Sequence, residues 1–287
     1  MIIRSLLFSC GLALVYAMAV GYFAVGIPRV GPTQHQSNII RIERVWHRAT
    51  SADALLVGTS LSARLPDLVI NQQIDSIAQS ATGPMTGLLL ADILPTPPRS
   101  VYVEVNMFHQ GVDHEALAYF SRQPMAALRE FVPILRQSEQ PINLLISALV
   151  AQHAEPAIIF DPNKLRFGLD YLASQNQQTL SVEVLETSLV DFKKVLTSLR
   201  NKGIHIVLVE FPLHPEVRNS PRYIQSFDAL SAVFPASEWE WVHPPAASKW
   251  EFTDGLHLTT ASAVDFAQLL LTDIQTRRTS ARRRVNN

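Results

Sequence analysis

Apolar positions along the chain form short, strand-length runs that alternate with amphipathic stretches of helix length. The strand-like runs are residues 52–58, 74–78, 100–106 and 204–211, and a shorter one around 239–242. The run at 204–211, IHIVLVEF, is almost continuously apolar, which is typical of a strand covered on both faces. Strands that alternate with helices predict βαβ units, right-handed crossovers and therefore an α/β fold with a mainly parallel sheet.

Helical periodicity is clearest over residues 182–199, where apolar side chains recur on one face and Gly203 follows as a C-terminal cap. Further helices are predicted over about 221–234 and from about Thr259 onwards. Residues 111–182 are mostly helical in pattern, rich in glutamine and poor in strand signals. They predict a helical insertion in the α/β domain.

The longest apolar segment lies at the N-terminus. Residues 5–27 run for 23 positions without a charge and follow Arg4, which at 1.5 Å per residue is enough to cross a hydrocarbon core of about 30 Å. The segment predicts an uncleaved transmembrane signal anchor over residues 1–27; the alternative is a signal peptide cleaved near AMA at 17–19. Either interpretation places the remaining chain outside the cytoplasm. The apolar run at 142–151 is too short to span and predicts a buried helix.

The remaining chain divides by composition. Residues 28–50 predict a polar linker with a short amphipathic segment, residues 51–276 the folded domain, and residues 277–287 a disordered tail with five arginines and no acid. Without that tail the chain is acidic, so basic charge is not spread over the folded surface and nucleic acid is not expected as a partner. The single cysteine, Cys10, excludes an intramolecular disulfide and a cysteine-based zinc site.

Candidate catalytic side chains follow the predicted strands. Ser60 follows the first, Gly83 the second and Asn106 the third, while Asp254 and His257 lie in the loop before the last helix. Ligands of open parallel sheets bind at the carboxyl ends of the strands. A serine nucleophile needs a base, and the base needs an orienting acid. The order predicts Ser60 as nucleophile, His257 as base and Asp254 as acid, with oxyanion donors from Ser60, Gly83 and Asn106.

Each of these residues also has an ordinary structural interpretation. Ser60 is also explained as a helix cap, Gly83 as turn geometry and Asn106 as a polar strand end. Asp254 and His257 also fit a simple turn, because Asp-Gly is a common turn dipeptide. Their joint placement at corresponding strand ends favours the catalytic interpretation.

Four short segments resemble the four blocks of the SGNH (GDSL-like) hydrolase superfamily: GTSL at 58–61, Gly83, Asn106 and DGLH at 254–257. The resemblance covers about residues 50–275. It implies a flavodoxin-like three-layer α/β/α sandwich, with Ser60 as nucleophile, Gly83 and Asn106 as oxyanion donors, and Asp254 and His257 completing the triad.

The sequence departs from the family pattern at two blocks. The third block reads EVNM, with Glu104 and Met107 where the family has Gly and Asp, and Thr59 stands in place of the Asp of the GDS motif. Thr59 and the N-terminal anchor are more similar to the envelope branch, which includes alginate O-acetyltransferase-like and D-alanine transfer proteins. That resemblance implies a polytopic membrane acyltransferase or a glycan synthase as partner.

Other candidate site residues have weaker support in the sequence. His214 follows a predicted parallel strand and either borders the cleft or is a loop histidine between prolines, and Trp250 either lines a sugar-binding groove or packs on the sheet edge. His109 and His114 lack a carboxylate placed to complete a metal site, so no metal is expected. No phosphate-binding glycine loop or dinucleotide fingerprint occurs, so no cofactor is expected.

These features predict serine-dependent acyl transfer, either O-acetylation or deacetylation, on an exported or cell-envelope polysaccharide through an acyl-Ser60 intermediate. The expected location is the bacterial inner membrane, with one N-terminal span and the catalytic domain in the periplasm. Whether water or a sugar hydroxyl accepts the acyl group stays open. The alternatives are a non-catalytic accessory subunit of a cellulose or other exopolysaccharide synthesis or export complex, and a periplasmic esterase for small lipids or peptidoglycan.

Overall fold

The computed structural model describes residues 29–48, 53–66, 74–151, 157–245 and 249–285, with a few positions between Arg4 and Met18. The chain forms two compact units. The N-terminal unit comprises Met1–His47 and Tyr119–Pro156, and the sheet unit comprises Arg48–Ala118 and Ala157–Asn287.

Helices separate the strands along the described chain, and five of them lie between the third and fourth strands. The strands are β1 (Ala54–Val57), β2 (Asp75–Ser76), β3 (Ser100–Glu104), β4 (His205–Val209) and β5 (Glu240–Val242). The helices are α1 (Gln34–Trp46), α2 (Ser60–Ala63), α3 (Pro84–Ile93), α4 (His114–Ser121), α5 (Met125–Phe131), α6 (Pro141–Ala151), α7 (Pro162–Asn176), α8 (Val182–Asn201), α9 (Pro215–Arg218), α10 (Pro221–Val233) and α11 (Thr260–Val285). Two 3₁₀ turns, Pro133–Leu135 and Gln137–Glu139, precede α6.

All five strands of the sheet unit are parallel and lie in the order β2-β1-β3-β4-β5. The central register pairs Leu55 with Val101 and Val101 with Ile206. The predicted α/β class and parallel sheet are therefore confirmed. Because all strands run the same way, the residues that follow them collect at one edge of the sheet.

Helices pack on the sheet through alternating strand positions. Leu56 and Tyr102 share a buried cluster with Phe266 and Leu270 of α11. Val57 points to the opposite face, where a side chain at Gly87 of α3 would approach Val57 Cγ1 to 2.6 Å. The close approach of α3 to β1 therefore depends on glycine at position 87.

The elements that follow β1 are short. Helix α2 is a single turn, and Pro66, whose ring disfavours helix in the residue before it, follows closely. Strand β2 has only two residues, although Ile77 and Gln79 still donate backbone hydrogen bonds to Leu56 and Gly58. The chain therefore continues beside β1 as far as the edge where the candidate side chains lie.

Helix α1 is longer than the short amphipathic segment that was predicted within the polar linker at 28–50. Thr33 caps it, since Thr33 Oγ1 accepts a hydrogen bond from Gln36 N–H, and Ile39, Ile40 and Ile42 are buried. The Glu43 carboxylate is also buried and accepts hydrogen bonds from three groups of the same unit: Gln137 N–H, Ser138 N–H and Tyr119 OH. Most of the predicted linker is thus a packed helix.

The predicted helical insertion at 111–182 is helical but is not one body. Residues 119–156 belong to the N-terminal unit, whereas 157–182 belong to the sheet unit, where Leu169 of α7 is buried in the core. Periodicity alone does not reveal this division, because both parts show helical patterns.

The predicted end of the domain at 276 also changes. Helix α11 continues to Val285, so the first part of the predicted disordered tail is helical. Arg277 pairs with Asp273 and Glu240, and Arg278 with Asp53. These ion pairs stabilise the part of the helix that follows the buried Ile274.

No helix in the described ranges is long and apolar enough to cross a membrane. Most of the predicted anchor at 1–27, including Cys10, lies outside the described residues. The apolar run at 142–151 forms α6, but its predicted burial is wrong: Leu145 is 57% exposed, whereas Asn143 and Ser147 are fully buried.

Candidate active site

The candidate catalytic side chains meet at the carboxyl edge of the sheet unit. Ser60 is the first residue of α2 and follows β1 with two residues between, and the loop that carries Asp254 and His257 precedes α11. His257 Nε2 lies 2.9 Å from Ser60 Oγ, although the two residues are 197 positions apart in sequence. His257 Nδ1 lies 2.7 Å from Asp254 Oδ2.

These two contacts assign the proton positions on His257. A carboxylate only accepts hydrogen bonds, so Nδ1 carries the proton that Asp254 accepts and Nε2 accepts the proton of the Ser60 hydroxyl. The His257 side chain is 12% exposed, which limits competition from water. The structure thus brings the predicted nucleophile, base and acid together in the order that a triad requires.

The loop that carries the acid and base is held by its own hydrogen bonds. Asp254 Oδ1 accepts N–H bonds from Leu256 at 3.1 Å and from His257 at 2.9 Å, while Oδ2 is left for the imidazole. Gly255 has φ +87°, a left-handed conformation that favours glycine. A side chain there would also lie 2.6 Å from Leu169 Cδ2. The Asp-Gly turn is therefore what presents the carboxylate to His257.

The charge state of Asp254 follows from these contacts. Burial raises the pKa of the carboxyl, but the hydrogen bond and charge of the His257 imidazole, with the two backbone N–H bonds, outweigh it and lower the pKa to about 2. Asp254 is therefore an anion at neutral pH. It can hold the His257 tautomer and stabilise an imidazolium.

Beside the Ser60 turn lies a buried carboxylate whose role was not predicted from the sequence, where it stands out only as a departure from the family pattern. Glu104 Oε2 accepts hydrogen bonds from Thr59 N–H at 2.8 Å, Ser62 N–H at 3.2 Å and Ser62 Oγ at 2.6 Å, and Oε1 accepts one from Thr59 Oγ at 2.6 Å. Both sides of the turn are thus tied to one side chain. Gly58 leaves room for it, since a Cβ there would lie 2.2 Å from Ser62 Oγ.

Burial raises the pKa of Glu104, and the hydrogen bonds from Ser62 and Thr59 oppose that rise. The signal that identifies such a residue in sequence is a lone glutamate at the end of an otherwise apolar strand, SVYVEV. A carboxylate at such a position is rarely buried without partners.

Two of the three predicted oxyanion donors are engaged elsewhere. Asn106 Nδ2 donates to Phe211 O at 2.9 Å, and its Oδ1 accepts from Phe211 N–H at 2.7 Å. The side chain therefore joins the chain after β3 to the chain after β4, with one amide hydrogen remaining. Gly83 N–H donates to Gly111 O at 2.9 Å.

The glycine at position 83 is explained by close packing. A Cβ there would lie 2.3 Å from Gln110 O, while the φ of −80° is open to any residue. Ser60 N–H is the third predicted donor, and no hydrogen bond from it to another described residue is found. Helix α2 has only one turn, so the helix dipole adds little to this donor.

Gln79 is a candidate donor that was not predicted from the sequence. It follows β2, is 1% exposed, and donates its N–H to Gly58 O at 2.9 Å. Its Oε1 accepts from Thr82 Oγ1, whereas its buried Nε2 has no partner among the described residues. Its position after a strand, like that of Ser60, is the signal that identifies it.

The two predicted cleft residues are placed differently. His214 N–H donates to Gly255 O at 3.1 Å, so His214 does adjoin the loop that carries Asp254 and His257, but its Nδ1 accepts the Glu216 N–H and caps α9. Trp250 packs edge-on against Phe266 in the core, with ring centroids 5.8 Å apart. Core packing is the interpretation that its contacts favour.

A groove of about 610 Å³ adjoins the acid of the series. Its lining includes Asp254, Thr253, Arg64, Lys164, Phe167 and Tyr171. Phe167 and Tyr171 lie one turn apart on α7 and are 78% and 61% exposed. Exposed aromatic faces and cations beside the loop that carries Asp254 make this groove the candidate substrate surface, which was not predicted from the sequence.

No group of three or more His, Cys, Asp or Glu side chains in the described ranges is arranged to hold a metal ion. His109 is partly buried. Its burial and the nearby charge of Arg222 together lower its pKa to about 4. It is therefore neutral at physiological pH.

No protein-family model matches the chain, and comparison with curated proteins gives no match. Fold and site together define an α/β protein with a five-strand parallel sheet. It carries a hydrogen-bonded Ser–His–Asp series at the carboxyl edge of that sheet.

Proposed function

We propose that the protein is an SGNH-type serine acyltransferase or esterase that acts outside the cytoplasm on an exported or cell-envelope polysaccharide. The observation that carries this proposal is the unbroken series from Ser60 Oγ through His257 to Asp254, at 2.9 and 2.7 Å. The strand order 2-1-3-4-5 is that of flavodoxin-like sheets. It supports the three-layer α/β/α sandwich that the sequence resemblance implies.

Acylation begins with attack of Ser60 Oγ on the carbonyl carbon of an acyl ester. His257 Nε2 takes the hydroxyl proton as the new carbon–oxygen bond forms, and Asp254 stabilises the imidazolium. Collapse of the tetrahedral intermediate breaks the bond to the leaving alcohol. That alcohol receives the proton from His257, and acyl-Ser60 remains.

Deacylation repeats these steps with a new acceptor. A water or a sugar hydroxyl gives its proton to His257 and attacks the acyl carbon, and the proton then returns to Ser60 as the ester bond breaks. Water yields the free acid, and a sugar hydroxyl yields an O-acylated polymer. The triad serves both acceptors, so the surface that binds the acceptor beside Ser60 decides between them.

Charge on the oxyanion requires donors, each of which typically contributes about 2.7 to 4 kcal/mol to transition-state stabilisation. Ser60 N–H and the second amide hydrogen of Asn106 are the first candidates among the predicted donors. Gln79 Nε2 is a third, because a buried amide that has no partner among the described residues is unfavourable until a ligand accepts its hydrogen bond. Gly83 N–H serves only after it leaves Gly111 O.

The groove supports a polysaccharide substrate. Phe167 and Tyr171 are spaced one helical turn apart and exposed, and aromatic rings present broad apolar faces on which sugar rings can stack. Arg64 and Lys164 add positive charge at the same surface. We place the protein in the bacterial inner membrane with its sheet unit in the periplasm, beside a polytopic acyltransferase or glycan synthase, on the strength of the uncharged segment at 5–27.

The test is labelling of the full-length protein with a fluorophosphonate probe, followed by intact-mass and peptide analysis. We expect one adduct, on Ser60, in the wild type and none in Ser60→Ala, with p-nitrophenyl acetate turnover lost in parallel. Ser62→Ala is a control for the neighbouring serine and should still label. A folded wild type that neither labels nor turns over activated esters contradicts the proposal.

A second candidate function is a non-catalytic accessory subunit of a polysaccharide synthesis or export complex. It is favoured by the engagement of Gly83 N–H with Gly111 O and of one Asn106 amide hydrogen with Phe211 O, which leaves fewer donors for the predicted oxyanion hole. Polymer acylation in a strain that carries Ser60→Ala separates the two functions. If the protein is an accessory subunit, polymer acylation in the Ser60→Ala strain is unchanged. If the protein is the catalyst, that acylation is lost.

A further inference from the structure

Helix α6 of the N-terminal unit has its polarity reversed. Asn143 and Ser147, one turn apart, are fully buried, whereas Ile142 and Leu145 on the opposite face are 51% and 57% exposed. The sequence PINLLISALVA has no charged residue. Helices on aqueous surfaces turn their apolar stripe inward, so α6 is arranged for surroundings that are less polar than the interior it faces.

Hydrogen bonds hold α6 in this orientation. Asn143 Nδ2 donates to Gln137 O at 2.6 Å, and Ser147 Oγ accepts from Val30 N–H at 2.8 Å. Rotating α6 to bury Leu145 would break both bonds and leave their backbone partners facing an apolar side chain. The outward apolar face is therefore fixed by specific contacts within the unit.

The same unit contains the predicted membrane segment. Arg29, which follows the predicted membrane segment directly, has its Nη2 3.5 Å from Glu139 Oε2 in the turn directly before α6. Large apolar side chains of the N-terminal stretch are exposed as well, among them Leu12 at 62%. Phe131 in α5 of this unit is 84% exposed. Apolar exposure of this extent in one unit marks an interaction surface.

The charges of the two units favour a lipid bilayer over a protein as the neighbour of the apolar face of α6. After the predicted anchor the N-terminal unit has six arginines against four glutamates, whereas the sheet unit has 17 basic against 21 acidic side chains. A basic unit with an uncharged apolar helix fits a bilayer that contains anionic headgroups. The acidic sheet unit has no comparable affinity for such a surface.

We propose that the outward face of α6, defined by Ile142 and Leu145, lies in the interfacial region of a lipid bilayer and binds the N-terminal unit to the membrane. The proposal rests on the membrane location given above and adds a second contact to the predicted anchor. An interfacial helix of this kind lies in the plane of the membrane without crossing it, as its 11 residues require.

The experiment uses full-length protein with Cys10→Ala, so that single cysteines can carry a nitroxide. Labels at Leu145→Cys, Leu12→Cys and Val190→Cys are compared in nanodiscs that contain phosphatidylglycerol, by the effect of oxygen and of Ni(II)EDDA on power saturation. Val190 in α8 is the matched control, since it is aliphatic, helical and 66% exposed in the sheet unit. We expect oxygen to relax the Leu145 label more strongly than nickel, and nickel to relax the Val190 label more strongly than oxygen.

Nickel access at Leu145 equal to that at Val190 overturns the proposal, and so does protection of Leu145 from both reagents, which would indicate a protein partner or a second copy. A lipid-exposed Leu12 label with an aqueous Leu145 label rejects the α6 contact alone. Aqueous labels at both positions reject the membrane location too. Fluorophosphonate labelling of Ser60 in the same samples reports the catalytic proposal independently.

Discussion

Thr59 and Glu104, which are 45 residues apart, are joined by two hydrogen bonds: Thr59 Oγ donates to Oε1 at 2.6 Å and Thr59 N–H to Oε2 at 2.8 Å. These are two of the positions at which the sequence departs from the SGNH pattern. In the structure they complement each other, since the threonine supplies the donors that a buried glutamate needs. The Ser60 turn is thereby fixed to the end of β3.

Replacement of Glu104 by Gln should lower turnover through the position of Ser60. The amide keeps the shape but offers one acceptor oxygen to a site with four donors, so at least one buried donor loses its partner, at about 1–3 kcal/mol of unfolding free energy. A small displacement of the nucleophile should reduce kcat by about 10- to 100-fold. Ester turnover with p-nitrophenyl acetate and urea denaturation measure the two effects, and KM should change much less than kcat.

Glu210→Gln is the matched control for this variant. Glu210 is also buried at the end of a strand, but it bonds Tyr223, Arg218 and His243. We expect that control to lose stability while kcat stays near the wild-type value. Equal losses of kcat in the two variants would show that Glu104 acts only through stability.

The parts of the site that were predicted from sequence are those set by local order along the chain. Ser60 follows a strand, and Asp254 and His257 share one turn whose own hydrogen bonds orient them, so spacing alone carries the information. The engagement of Asn106 with Phe211 depends on the pairing of β3 with β4. A pattern of apolar positions predicts that these strands are parallel, but it gives neither their order in the sheet nor the partner of one amide.

The errors in the fold have a similar origin. Residues 34–46 are rich in polar and charged side chains and resemble a linker, yet α1 is held by buried isoleucines and by Glu43, whose partners include Ser138, 95 residues later. The predicted burial of α6 assumed that apolar residues face inward. Its two polar residues find hydrogen-bond partners inside the unit, which no periodicity records.

Asp254 should make stability depend on pH at the acid end. Its folded pKa of about 2 lies below the unfolded value of about 3.9, so the unfolded chain binds the proton more readily. Its contribution is therefore fully present above about pH 4 and is lost as the pH falls towards about 2. Urea denaturation of wild type and Asp254→Asn across this range should show the largest difference near pH 5 and a shrinking one below pH 4.

Buried acids with raised pKa values are common to both proteins and cancel in that comparison. A difference that stays constant from pH 5 to pH 2 would contradict the assigned pKa. In the same variant we expect kcat to fall by about 10²- to 10⁴-fold near neutral pH, because the asparagine favours the wrong His257 tautomer.

Two substitutions of Asn106 distinguish a structural role of its side chain from a catalytic one. Asn106→Ala leaves Phe211 N–H and C=O without partners at a position that is 2% exposed, which should lower the unfolding free energy by about 1–3 kcal/mol for each group. Asn106→Asp keeps the acceptor for Phe211 N–H but has no N–H for an oxyanion.

The comparison of these variants by fluorophosphonate labelling is decisive. If Asn106 donates to the oxyanion, labelling of Asn106→Asp should be slower by about 10²-fold or more, even where the protein remains folded. Labelling at the wild-type rate would assign Asn106 to strand clamping alone and leave Ser60 and Gln79 as the donors to be tested.

Gly168 on α7 lines the groove and lies against the loop that carries Asp254 and His257. A Cβ at this position would lie 2.5 Å from Asp254 O and 2.7 Å from its Cα. Alanine normally favours a helix over glycine by about 1 kcal/mol, yet here the added methyl must push α7 away from the loop that carries the acid. We expect Gly168→Ala to lower kcat/KM for ester turnover by at least about 10-fold.

Gly111→Ala is the control, because a Cβ at Gly111 meets no atom within 4 Å, and its turnover should match the wild type. Wild-type turnover in Gly168→Ala would mean that the loop tolerates displacement of α7, and therefore that α7 does not position Asp254.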